Sequence, residues 1–148
     1  TRRSSDLDRI RPVKGVPELF QALRENGVKI AVASSSSASL IGPWLTWMGL
    51  RNQLDAFVTA EDVAHSKPHP EPYLLAAARL GVPVAHCVAV EDSPHGVQSA
   101  KAAGCRCIGY RNPNGPSQDL SQADVIVEDM RDILRLGLLE ADLTAPVS

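Results

Sequence analysis

The sequence predicts an α/β fold, a doubly wound and mostly parallel sheet. Three observations carry that expectation. Short apolar runs alternate along the chain with stretches of helical spacing, the pattern of repeated βα units. The run Val28–Ala33 is broken only by Lys29, as in a strand buried on both faces. Polar groups stand at or just beyond the ends of the runs, where an open α/β sheet gathers its ligand-binding residues.

Each element has its own signature. Pro17–Asn26 carries Leu19, Phe20 and Leu23 at helical spacing, with Pro17 near the start and Gly27 as the stop. Val28–Ala33 is the first strand. Ser39–Met48 reads as a helix with Trp44, Leu45, Trp47 and Met48 largely facing the core; Pro43 must then lie near its first turn or kink it. Ala56–Thr59 is a brief strand. Glu71–Leu80 is an alanine-rich helix closed by Gly81, and His86–Val90 the next strand. Ser93 is placed to cap a helix that has Pro94 at its first position and Gly104 at its end. Arg106–Tyr110 and Asp124–Val127 are further strands, separated by an Asn-, Pro-, Gly- and Ser-rich loop from Arg111 to Gln122. Residues 129–137 form a last short helix. The expected division is a linker over 1–11, one core domain over 12–137 and a C-terminal tail over 138–148.

Composition narrows the function. The chain has 148 residues, enough for one well-packed domain. Its 15 basic and 17 acidic residues give a net charge of -2, which offers no electrostatic case for nucleic acid or an anionic membrane. No apolar stretch is long enough to span a bilayer, and no secretory signal pattern is present. Cys87, Cys105 and Cys107 lie in or beside apolar runs, which points to buried thiols in a reducing, cytoplasmic setting. Cys105 and Cys107 have no partner pair at zinc-site spacing. The chain opens on Thr1 and its first methionine is Met48, so it reads as part of a longer parent.

Three groups carry chemistry. Ser34 ends the first strand and opens the run Ser34–Ser37, whose hydroxyls and amides suit a phosphate oxygen, although a serine run is equally ordinary loop or cap chemistry. Lys67 stands between Ser66 and the stiff Pro68-His69-Pro70. It is a point charge suited to phosphate and carboxylates, where a plain surface lysine is the alternative. Glu91 and Asp92 follow an apolar strand. Adjacent carboxylates repel unless a cation lies between them, and Mg2+ is bound by one or two carboxylates plus water and substrate phosphate. His65 and His69 flank Lys67 within reach of a substrate. His86 and His95 read as solvated, and no Ser-His-Asp set or glycine-rich nucleotide loop is evident.

In order, Ala31-Val32-Ala33-Ser34, Lys67-Pro68-His69-Pro70-Glu71-Pro72-Tyr73 and the stretch Val90–Gly104 resemble the haloacid dehalogenase (HAD) superfamily. The closest likeness is to its β-phosphoglucomutase-like and phosphosugar phosphatase branch, from about Pro12 to Asp132. The resemblance implies a HAD-like Rossmannoid core and a Mg2+-dependent phosphohydrolase of a small phosphorylated metabolite, notably a sugar phosphate. It implies that Ser34 bonds the transferring phosphoryl group, that Ser35 and Ser36 orient the substrate phosphate, and that Lys67 neutralises charge. Asp92 becomes a Mg2+ ligand, with Glu91 a second ligand or its water-mediated partner. A β-phosphoglucomutase-type isomerase and a non-catalytic phosphate-, metal- or partner-binding module are the alternatives.

The resemblance also implies a gap. The family's first motif is an Asp-x-Asp-Gly-Thr-like sequence after an apolar strand, followed in this branch by a helical cap. Neither is found before residue 12, so the core is expected to be N-terminally truncated and the chain inactive by itself. Asp6-Leu7-Asp8 has no apolar strand before it and no Gly-Thr after it, and reads as linker. In the family the corresponding strand lies between those expected at 28–33 and 86–90. A complementing segment or a swapped chain would fill that place.

Overall fold

The computed structural model describes residues 13–136. The proposed linker and tail lie outside them, as does Asp6-Leu7-Asp8. The elements run α1 (Val16–Glu25), β1 (Ala31–Ala33), α2 (Ala38–Trp47), β2 (Ala56–Val58), α3 (Glu71–Leu80), β3 (Val88–Glu91), α4 (Pro94–Ala103), β4 (Arg106–Tyr110) and β5 (Val125–Val127). Short 3-10 turns fall at Arg51–Gln53, Ala60–Asp62, Val84–His86 and Met130–Leu136. The final helix expected over 129–137 is the last of these.

Every pairing is parallel. β1 pairs with β2, Ala31 opposite Ala56. β4 lies between β3 and β5, with Glu91 opposite Gly109 and Tyr110 opposite Val127. The side chains of β4 show why the sheet is covered on both faces. Cys107 enters a cluster with Ala89 and with Val97, Ala100 and Ala103 of α4. The next residue, Ile108, points the opposite way and joins Tyr110, Val127, Ile133 and Leu19 of α1. That two-residue alternation between helix-covered faces is the doubly wound arrangement.

Among the described residues β1 and β3 are not paired with each other, so the strands form two sheets. The helical layer spans the interval: α3 lies on β1 and β2 and against α4, which covers β3 and β4. The first strand is shorter and less buried than its apolar run predicts. Asp55 explains the length, because its side chain and amide take the amide and carbonyl of Ile30, at 2.8 and 2.7 Å. The ladder therefore begins at Ala31. All three residues of β1 are half-buried, and Val90 of β3 is 36% exposed.

Helix α2 also departs from expectation. Leu45 is buried, whereas Trp44 and Met48 are half-buried and Trp47 is 53% exposed. The helix packs mainly on the Arg51–Gln53 turn rather than a sheet, so one narrow stripe is covered. Pro43 sits well inside it, beyond the first turn. The predicted limits of α3 and β4 hold to the residue, and Gly104 ends α4 in the left-handed region at φ 100°. Ser93 caps α4 by accepting the Gly96 amide at 3.1 Å. Ser93→Ala is expected to lower unfolding free energy by about 1 kcal/mol, read from urea denaturation.

Candidate active site

The site is assembled from the carboxyl ends of β1 and β3 and from the loop before α3. At the first end, the Ser34 amide continues the β1–β2 ladder to the Val58 carbonyl at 2.9 Å. Its hydroxyl oxygen accepts the Ser36 amide at 3.0 Å, which leaves the hydroxyl proton free to donate outward. Ser36 in turn accepts the Ala60 amide at 3.0 Å. Ser35 is exposed on the turn between them. Glu61 accepts the first amide of α2, from Ala38, at 3.0 Å, so an acid from the β2 side fixes the serine loop.

The Lys67 loop is tied at several points. Both oxygens of Glu71 accept backbone amides, from Ala64 and His65, each at 2.9 Å. The Ala64 amide is the main cause of a Glu71 carboxyl held below its ordinary range. His69 accepts the Glu71 amide through Nδ1 at 3.0 Å. The fully buried Ser99 of α4 donates its hydroxyl to the His69 carbonyl at 2.6 Å. These ties leave Lys67 little freedom except along its own side chain. His65 and His69 are both exposed, their ring centroids 4.6 Å apart. They border an open hollow with Ser66, Lys67, Pro68 and Gln98.

The Lys67 ammonium joins the two strand ends. It donates to the Ala33 carbonyl at 2.9 Å and to Glu91 Oε1 at 2.5 Å, with the lysine side chain 15% and Glu91 7% exposed. Tyr73 donates its hydroxyl to the same Glu91 oxygen. Burial, then the Glu91 charge, push the Tyr73 phenol well above its ordinary value, so it stays a donor. Burial likewise pushes the Cys105 and Cys107 thiols up to about 12, which keeps them protonated; Cys87 is also free.

The six residues expected at the site thus fall into two tiers. Ser34 continues β1, Glu91 ends β3, and Lys67 bonds to both strand ends. Ser35 and Ser36 stand on the adjoining turn, and Asp92 is exposed one residue beyond β3. Its negative charge helps raise the Tyr110 phenol, after burial and Asp129. Tyr73, Gly96, Glu71 and Ser99 had no role assigned from sequence. All four sit inside the stretches Lys67–Tyr73 and Val90–Gly104 that carry the resemblance, and that position is the one signal by which they could have been found.

Mg2+ fits this donor set. It favours oxygen ligands and keeps several waters instead of entering an all-protein cage. Asp92 offers an exposed carboxylate, and no cluster of three or more His, Cys, Asp or Glu forms a closed metal site among the described residues.

Comparison with known proteins agrees with this architecture. The family profile described as haloacid dehalogenase-like hydrolase matches residues 2–110, and the chain belongs to that family. It is 34% identical over 123 residues to the phosphoglycolate phosphatase of Pectobacterium atrosepticum, covering 82% of this chain and 53% of that protein. Among solved structures, CbbY from Rhodobacter sphaeroides in complex with phosphate superposes with a TM-score of 0.77 at 29% identity, over 86% of this chain and 58% of that one. A predicted phosphoglycolate phosphatase from Haemophilus somnus 129pt gives 0.79 at 28% identity, over 90% and 60%. The chain therefore spans about half the length of the curated relatives it matches. No helix among the described residues is long and apolar enough to cross a membrane.

Proposed function

We propose that this chain is the core of a Mg2+-dependent phosphohydrolase that acts on a small phosphorylated metabolite, such as a sugar phosphate. The reading includes an aspartyl-phosphate whose nucleophile is supplied by an N-terminal segment other than these 148 residues. One observation carries it: the Lys67 ammonium spans from the Ala33 carbonyl to Glu91, with Ser34 and Asp92 each one residue further along the chain. Phosphoryl transfer depends mainly on positioning and charge stabilisation, and those are the services these groups provide.

In this mechanism the Ser34 hydroxyl donates to a phosphoryl oxygen, while Ser35 and Ser36 orient the substrate phosphate. Lys67 offsets the negative charge that gathers between the phosphoryl group and its acceptor. Asp92, with Glu91 behind it, would hold Mg2+, which supplies further charge neutralisation when bound. Similarity to a phosphoglycolate phosphatase favours hydrolysis over a β-phosphoglucomutase-type isomerisation that would use the same core. A complementing strand between β1 and β3, from the parent or a swapped chain, belongs to the same reading. The three free thiols accord with a cytoplasmic setting.

Calorimetric titration of the chain with Mg2+ in the presence of orthophosphate tests the ligand assignments without requiring turnover. Asp92→Ala is expected to weaken Mg2+ binding by roughly tenfold or more. Equal affinity in the variant would overturn Asp92 as a ligand. A parent protein that binds Mg2+ and phosphate normally yet releases no phosphate from any phosphomonoester would favour the non-catalytic binding module instead.

A further inference from the structure

We propose that Tyr73 is a positioning residue for Lys67, holding the ammonium between the two strand ends both directly and through the Glu91 carboxylate. The inference rests on the proposed site only in taking Lys67 as its cation.

Tyr73 lies in the first turn of α3, six residues after the lysine it would position. Its ring packs against the cluster of Ala89, Val97, Ala100, Cys105 and Cys107, so the ring is anchored by the core. From that anchor it touches both members of the ion pair. The hydroxyl donates to Glu91 Oε1, the oxygen that also receives Lys67. The ring lies 5.2 Å from the Lys67 nitrogen, within cation–π range.

These contacts address a problem that the ion pair alone leaves open. A lysine has a long flexible stem and a point charge, and one carboxylate does not fix its direction. Here the carboxylate is itself fixed, because the Tyr73 hydroxyl orients Oε1 while the backbone of α4 at Gly96 confines Oε2. The aromatic ring then adds a second attraction for the ammonium. Lys67 consequently has the Ala33 carbonyl, the Glu91 carboxylate and the ring as three separate points of reference.

Two substitutions separate the contributions. Tyr73→Phe keeps the ring and removes the hydroxyl, whereas Tyr73→Leu removes both. The measurement is competitive acetylation of the native full chain, with the labelling rate of each lysine read by peptide mass spectrometry. Lys29, held on the Leu80 carbonyl, and Lys101, paired with Asp124, are internal references. The buried thiols of Cys105 and Cys107 report any general opening by alkylation.

Tyr73→Phe is expected to raise the Lys67 rate by roughly three- to tenfold with the reference lysines and both thiols unchanged. Tyr73→Leu is expected to raise it about threefold further. An unchanged Lys67 rate in Tyr73→Phe overturns the proposal. So does a rise shared by Lys29 and Lys101 with alkylation of the core thiols, which would assign Tyr73 to general packing. Because acetylation requires no turnover, a failure of the phosphohydrolase reading would show in phosphate release and metal binding and leave this result standing.

Discussion

Lys67→Ala is expected to reduce the proposed phosphate release by roughly 10²-fold or more and to lower unfolding free energy by about 3 kcal/mol. The two losses have different origins. In the proposed reaction turnover falls because the ammonium assigned to offset developing charge is gone. Stability falls because Glu91, 7% exposed, loses the cation that balances it and that no water replaces. Tyr73 still donates one hydrogen bond to that carboxylate, but a neutral hydroxyl does not replace an ion. Removing one partner of a buried pair costs far more than removing both, because the remaining charge has been taken out of water without compensation.

Lys67→Met with Glu91→Gln separates these terms. The neutral pair fills similar volume, so it is expected to recover most of the stability lost in Lys67→Ala while phosphate release stays low. Urea denaturation of the chain and phosphate-release assays of the parent give the two readings. Wild-type stability in Lys67→Ala would mean that the Lys67–Glu91 pair is solvated rather than buried. Wild-type turnover would remove Lys67 from the reaction.

The contrast between what was and was not legible in the sequence follows from the range of the forces involved. Helix α4 was readable because its punctuation is local: Ser93, Pro94 and Gly104 act on backbone within a few residues of themselves. The same holds for α3 and its closing Gly81. Helix α2 lies within one residue of its expected limits, but its buried face is narrower than expected, because apolar composition says that a residue favours burial, not that a surface is there to cover it. Leu45 meets such a surface and Trp47 does not. The start of β1 was misplaced because Asp55, 25 residues from Ile30, takes over its backbone groups.

At the site, Lys67 and Glu91 stood out as charges beside stiff or apolar segments. Their pairing across 24 residues did not, because it depends on two sheets whose relation no local pattern encodes. Glu71 and Ser99 were harder still. Each acts by binding backbone amides or carbonyls in the Lys67 loop, and an acid or a serine in a helix is otherwise unremarkable.

Gly96→Ala is expected to destabilise the fold by about 2–4 kcal/mol and to release Lys67 from its place, although it adds one methyl group to a helix. On propensity alone the change favours the helix, since alanine is the better helix former by roughly 1 kcal/mol. The surroundings reverse that sign. A Cβ at Gly96 would lie 1.9 Å from Glu91 Oε2 and 2.2 Å from its carboxyl carbon, well inside any permitted contact. The carboxylate cannot simply swing aside, because Lys67 and Tyr73 hold its other oxygen. Either the start of α4 moves off β3 or Glu91 abandons both partners. The cause is testable by a double-mutant cycle. With Glu91→Ala already present the obstacle is gone, so adding Gly96→Ala should then be neutral or mildly stabilising, and the two changes should be strongly non-additive. Additive losses in urea denaturation would place the strain elsewhere in α4 and remove Gly96 from the account of how Glu91, and through it Lys67, is held.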